Sequence, residues 1–155
     1  MYLVSACLVG IRCRYNGSGT REEALEELFR RGEVLPLCPE VLGGLATPRE
    51  CCEIRISRGE RRVVGRSGKE YTRAFLEGAR KTLEICKICG ITEAILQPRS
   101  PSCGCGAVYD GTFSGKLAEG MGITAELLQR EGILVRSVEE WKRQVRKEGD
   151  PWRTP

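Results

Sequence analysis

The chain contains no histidine, and that absence removes every mechanism built on an imidazole: Ser-His and Cys-His nucleophile pairs, histidine bases and histidine-ligated metals. Acid–base work then falls to a carboxylate, lysine, tyrosine or thiol. No apolar run approaches the ~18 residues of a membrane helix, and the opening residues lack a basic segment, apolar core and cleavage site. A cytoplasmic protein with no membrane partner is expected. Internal repeats and low-complexity stretches are also missing, and nothing marks a domain boundary. The charge excess is small, 25 Lys and Arg against 21 Asp and Glu scattered along the chain. That pattern suits a solvated surface better than a nucleic-acid groove.

What is present is cysteine, nine residues in 155. In a chain without a secretion signal, nine thiols point to metal or redox chemistry more than to a disulfide framework, and an odd number cannot pair completely. The Glu- and Arg-rich composition leaves internal disulfides of the thermophile kind open. With 41% apolar and 30% charged residues, the chain is long enough to bury roughly two thirds of its unfolded surface without staples.

The hydrophobic pattern alternates short apolar runs with amphipathic stretches. Tyr2 to Ser5, Val34 to Leu37, Glu93 to Leu96 and Ile133 to Val135 read as strands. Helices are expected from Thr20, where Thr20 and Glu23 form a capping box, to Gly32; from Glu70 to Cys86, ended by Gly90; over Thr124 to Arg130; and from a Ser137/Glu140 capping box to about Lys147. Cys38 to Leu45 has no helical reading, and Ile54 to Ile56 with Arg62 to Val64 reads as a small edge hairpin around Gly59. Four strand–helix alternations predict an α/β fold: one open, three-layer domain over 1–149 with a mainly parallel, Rossmann-like or flavodoxin-like sheet, and a tail at 150–155 that frays after Asp150-Pro151.

Three cysteines follow three of these strands: Cys7, Cys38 and Cys103, the last in the loop Arg99-Ser100-Pro101-Ser102-Cys103-Gly104-Cys105-Gly106. Open α/β sheets bind ligands at the carboxyl ends of their strands. With neighbouring strands ~4.8 Å apart, the three backbones would lie about 8 to 15 Å from one another. Side chains converging from there can span a cubane cluster, whereas one tetrahedral zinc wants a fourth ligand and closer backbones. The competing reading makes each thiol a small buried apolar residue. Cys86-Lys87-Ile88-Cys89 is a lone CxxC at a helix end and reads as structural, or as a disulfide. Cys51, Cys52 and Cys105 are possible extra donors. Glu40, two residues past Cys38, is a candidate general base whose pKa partial burial would raise. Ser100 and Ser102 offer hydroxyls that orient water or donate to a substrate.

Six blocks then stand out in order: Ser5-Ala6-Cys7-Leu8-Val9-Gly10, Cys13-Arg14-Tyr15-Asn16-Gly17, Cys38-Pro39-Glu40-Val41-Leu42-Gly43-Gly44, Thr47-Pro48-Arg49, Ser100-Pro101-Ser102-Cys103-Gly104 and Tyr109-Asp110-Gly111-Thr112-Phe113-Ser114-Gly115. From about Tyr2 to Val135 the chain resembles the thiouracil desulfurase family. The resemblance implies a 4Fe-4S cluster held by three cysteines with one iron open, and a non-redox hydrolytic conversion of C=S to C=O that releases hydrosulfide from a thiolated pyrimidine. Carried onto this chain it makes Cys7, Cys38 and Cys103 the ligands, leaves Cys13 out, and makes Glu40 the catalytic carboxylate. Ser100 is the first choice for the catalytic serine and Ser102 the second. The chain departs from the family in Cys51-Cys52 and in Cys105, extra thiols able to fill the open position. Two other readings are a non-catalytic cluster- or zinc-binding sulfur carrier or redox sensor, and the same chemistry on tRNA. Either a monomer or a homodimer fits.

Overall fold

Strands buried on both faces cannot alternate apolar with polar residues, and the two inner strands of the main sheet, Tyr2–Ser5 and Glu93–Leu96, are accordingly buried at their last three positions in a row. The structure is a computed structural model and describes residues 1–147. The tail expected at 150–155 lies outside the described residues. In chain order, β1 (Tyr2–Ser5) runs into a 3-10 turn at Ala6–Leu8, followed by α1 (Glu23–Arg30), β2 (Val34–Leu37) and α2 (Pro39–Leu42). A hairpin of β3 (Cys52–Ser57) and β4 (Glu60–Gly65) leads to α3 (Thr72–Cys89), which carries the chain to β5 (Glu93–Leu96). A second hairpin, β6 (Ala107–Tyr109) and β7 (Leu117–Glu119), precedes α4 (Ile123–Arg130), β8 (Leu134–Ser137) and α5 (Val138–Lys147).

The main sheet has the order β2-β1-β5-β8 with every pair parallel. Its two faces separate by the two-residue period of a strand. Val4 and Ile95 pack with Leu25 and Leu28 of α1 and with Val138 and Trp141 of α5. Leu3, Ala94, Leu96 and Val135 pack with Cys86 of α3 and with Ala125 and Leu128 of α4. This is the three-layer α/β architecture expected. The chain passes from β1 outward to β2, then returns past β1 to β5, so the topological switch point lies between β1 and β5, where such sheets open a crevice.

Four local expectations change. Thr20 does not cap α1, which starts at Glu23 after Glu22. Residues 20–22 instead zip against the exit of β1: the Thr20 amide donates to the Cys7 carbonyl (2.8 Å) and Glu22 to Leu8 (2.9 Å). Tertiary hydrogen bonds thus hold these residues extended. Cys38 to Leu45 does contain a helix, the single turn α2, for which Pro39 at the first position supplies a preset φ. The β3–β4 hairpin forms around Arg58 and Gly59, both at positive φ as a tight turn demands, but as a separate two-stranded sheet. It packs against Phe75 and Ala79 of α3, and not on the edge of the main sheet. Finally α3 runs to Cys89, one turn beyond expectation, before Gly90 ends it at φ 64°. The Ser137/Glu140 capping box forms as expected: Glu140 N–H donates to Ser137 Oγ (3.1 Å) and Ser137 N–H to Glu140 Oε2 (2.8 Å).

Candidate metal centre

Each of the three strand-end cysteines is fixed by the way its chain segment leaves the sheet. Cys7 sits in the 3-10 turn directly after β1, buried, with its Sγ donating to Gln97 Oε1 at 3.7 Å. Gln97 follows β5, and its amide donates to Ser5 Oγ (2.9 Å), which locks the exits of the two strands together. Cys38 is the residue before α2, and its Sγ donates to the Cys13 carbonyl at 3.8 Å. Cys103 lies in a tight turn after β5 in which the Gly104 amide donates to the Ser100 carbonyl (2.8 Å). The turn is further closed by Ser100 Oγ, which accepts the amides of Ser102 and Cys103, both at 3.1 Å.

That turn is seated on the N-terminus of α4, whose first amides need acceptors. The Pro101 carbonyl takes Ile123 N–H (2.8 Å), and the Ser102 carbonyl takes those of Thr124 (2.9 Å) and Ala125 (3.1 Å). The contact is close enough that a Cβ on Gly122 would stand 2.4 Å from Ser102. A buried Ser102 hydroxyl pairs with Thr124 Oγ1 at 2.9 Å.

Over the carboxyl ends of β1, β2 and β5 lies a cavity of about 420 Å³ that Cys7, Cys38, Cys103, Glu40 and Ser100 all line. Ser102 is not in its wall. The cavity also takes in Cys13, Cys51 and Cys52. Cys105 is elsewhere, its Sγ toward the Val135 carbonyl (3.9 Å) and packed against the core beneath the sheet. Cys86 is wholly buried, Cys89 is exposed, and both are free thiols, so the CxxC carries no disulfide.

Cys103, Cys38 and Cys13 are held protonated. Desolvation is the main cause at Cys103, pushed up to about 12. At Cys38 the hydrogen bond with Cys13 and then burial raise the thiol far above its ordinary value. For Cys13 the bond to Cys38 acts to favour the thiolate, but the bond to Cys7 and burial outweigh it and leave the pKa at about 11. Such thiols are poor nucleophiles in the metal-free protein; a thiophilic cation that displaces the protons changes that. Among the described residues no group of three or more cysteine or carboxylate side chains is arranged to hold a single metal ion. Soft donors spread around a cavity of this size fit a multi-iron cluster better than a mononuclear site.

Glu40 stands on α2 beside these thiols, and its surroundings differ from the expectation of simple burial. Its Oε2 receives Arg49 Nε at 2.6 Å, in an ion pair whose side chains are only 13% and 8% exposed. Arg49 also donates to the carbonyls of Cys13 (2.8 Å) and Ala46 (3.2 Å) and to Thr47 Oγ1 (3.1 Å). One guanidinium thereby ties α2, the segment after the first strand and the 46–49 loop into one wall. Sequence reasoning gave Arg49 no role and left Cys13 outside the site. Both lie in the ordered family blocks, Thr47-Pro48-Arg49 and Cys13-Arg14-Tyr15-Asn16-Gly17, and that clustering is the signal in the sequence that points to them.

A doubly wound α/β domain with a thiol-lined cavity at its switch point and a buried carboxylate–arginine pair in the wall is the class that fold and site define. The chain belongs to the 2-thiouracil desulfurase family, whose family model matches residues 2–140. It is 44% identical over 146 residues to the uncharacterized protein YbbK of Bacillus subtilis (strain 168), covering 90% of this chain and 97% of that one. Among solved structures it is similar to the [4Fe-4S]-dependent thiouracil desulfidase TudS, with a TM-score of 0.85 and 40% identity over 95% of this chain and 96% of the other.

Proposed function

We propose that this protein removes sulfur from a thiolated pyrimidine of the thiouracil type, using a 4Fe-4S cluster held by Cys7, Cys38 and Cys103 with one iron left open. The observation that carries the reading is the meeting of three strand-end cysteines, each from a different loop, in one cavity with Glu40. The net reaction takes up one water and converts C=S to C=O, leaving hydrosulfide and uracil, with no electron transferred.

When bound, the cluster supplies a thiophilic iron that polarises the C=S bond as a Lewis acid. The rest of the work belongs to the chain. Glu40 accepts a proton from the attacking water, and Arg49 fixes the carboxylate so that it meets the water in one orientation. Both lone-pair directions of Ser100 Oγ are used by the amides of Ser102 and Cys103, so its hydroxyl acts toward the cavity as a donor. It is suited to steady the heteroatom on which charge collects as water adds. The side chain of Ser102, engaged with Thr124, braces the loop instead. No helix among the described residues is long and apolar enough to cross a membrane, and nine free thiols suit a reducing compartment; we assign the protein to the cytoplasm.

The test is anaerobic purification followed by iron and sulfide counts, an absorption spectrum and hydrosulfide release from 2- and 4-thiouracil. Four irons with release support the reading. A full cluster that releases nothing makes the protein a sulfur carrier or sensor, and zinc or no metal after reconstitution overturns the assignment. Glu40→Gln keeps its iron and loses at least about a hundredfold in turnover, the usual scale of a positioned base.

A further inference from the structure

Part of the cavity wall is aromatic, and the position of one of its rings is imposed by the backbone. Phe113 sits at φ 56°, a left-handed conformation that a bulky residue seldom adopts unless its surroundings require it. Two hydrogen bonds require it here. Glu53, on β3 and buried to 5% exposure, points Oε2 at the loop between β6 and β7 and accepts the amides of Gly111 (2.9 Å) and Phe113 (3.0 Å). From the same strand Arg55 donates to the Gly111 carbonyl through Nε (3.4 Å) and Nη2 (3.2 Å). Gly111, at φ 88°, lies so close to β3 that a Cβ would stand 2.7 Å from the Ile54 carbonyl oxygen. The loop is therefore riveted to the hairpin, and the Phe113 ring is carried into the cavity wall, with the Arg66 guanidinium 5.5 Å from its centroid.

Resting on the desulfurase reading for the identity of the ligand, we propose that Phe113 is the surface on which the pyrimidine ring of the substrate stacks, and that Glu53 is the positioning residue that aims it. A planar heterocycle presented to a cluster by its sulfur alone is free to rotate about that contact. An aromatic face removes the freedom and is indifferent to which ring carbon carries the sulfur. Tyr15 and Tyr109 also line the cavity, but neither has its backbone forced in this way. The Arg66 cation draws on the ring's π face and restrains it further.

The experiment uses the cluster-loaded protein and two readouts: KM and kcat for hydrosulfide release from 2-thiouracil, and equilibrium dialysis against radiolabelled uracil, which binds without turnover. Phe113→Leu is expected to raise both KM and the uracil Kd about tenfold to a hundredfold, as loss of a base-stacking aromatic does, with kcat changed less than about threefold. Phe113→Trp restores both values, and uracil quenches the emission of the indole introduced by Phe113→Trp. Glu53→Gln, whose amide oxygen still accepts both amides, leaves KM within about threefold, and Glu53→Leu raises it as Phe113→Leu does. An unchanged uracil Kd in an iron-replete Phe113→Leu protein overturns the stacking role. If Phe113→Leu does not fold, the absence of quenching in Phe113→Trp overturns it instead. Unchanged KM in Glu53→Leu removes Glu53. Wild-type protein that binds uracil and loses it in Phe113→Leu, yet releases no hydrosulfide, refutes the desulfurase reading and leaves the stacking intact. Wild-type protein that turns over thiouracil while Phe113→Leu keeps both constants refutes the stacking alone.

Discussion

Gly78→Ala tests how Glu40 and Cys38 are held in place. Gly78 of α3 faces α2 with no room for a side chain: a Cβ there would stand 1.9 Å from the Pro39 carbonyl oxygen and 3.1 Å from the Gly43 nitrogen. The contact is reciprocal, since a Cβ on Gly43 would stand 2.1 Å from the Ala74 carbonyl oxygen. Real contacts of this kind essentially never fall below 3.0 Å, so the single methyl group must drive α2 away from α3 by about 1 Å. Two terms oppose each other in stability. Overpacking costs about 1–3 kcal/mol, and alanine in a helix interior returns about 1 kcal/mol over glycine. The net loss is about 0–2 kcal/mol, and the protein stays folded. Turnover is far more sensitive, because α2 carries Glu40 and begins directly after Cys38. A 1 Å misplacement of a reacting group costs on the order of a hundredfold. The assay compares hydrosulfide release, iron content and the thermal midpoint of Gly78→Ala with those of Glu84→Ala, an exposed change on the same helix that leaves all three unaltered. Unchanged turnover in Gly78→Ala would show that the crossing of α2 on α3 does not set the position of the carboxylate.

Arg49→Ala leaves the Glu40 carboxylate buried without its partner and is expected to cost about 3–5 kcal/mol, read as a fall in melting temperature on the order of 10 °C. Cys103→Ser abolishes the iron chromophore and Cys89→Ser leaves it intact; equal iron in both proteins would refute the ligand assignment. Cys13→Ser keeps a full cluster if three ligands suffice, and a drop in bound iron makes Cys13 a fourth. Burial raises the Cys86 thiol to about 11 and the Cys52 thiol to about 12, against 9.0 for an ordinary thiol. The unfolded chain therefore sheds these protons first, and the metal-free protein is fully stabilised below pH 9 and loses stability as pH rises to about 12. The melting temperature should fall over that range, with a shallower slope in Cys86→Val; a flat profile in the parent protein would contradict the burial argument.

Much of this molecule was legible from residue order alone. Apolar runs at Tyr2, Val34 and Glu93 gave the strands, and periodic apolar positions such as Phe75 and Ala79 gave the long helix, because those patterns are dictated by burial on one or both faces. A cysteine after each of three of the four strands, in loops with Pro or Gly, identified the rim, and the ordered blocks identified the family. Local chemistry determines such features, so the sequence determined them unaided. Only the tertiary structure decided the others. Thr20 and Glu23 have the letters of a capping box, but hydrogen bonds to Cys7 and Leu8, far outside any local window, hold Thr20 and Glu22 in an extended run. The pairing of Arg49 with Glu40, the crossing of Gly78 on Pro39 and the grip of Glu53 on Phe113 link residues 9, 39 and 60 positions apart. Contacts at such separations depend on how the layers pack, which no periodicity records. Likewise Ser100 and Ser102 are indistinguishable by spacing, and they part only when the loop settles on α4, placing Ser100 in the cavity wall and burying the Ser102 hydroxyl against Thr124.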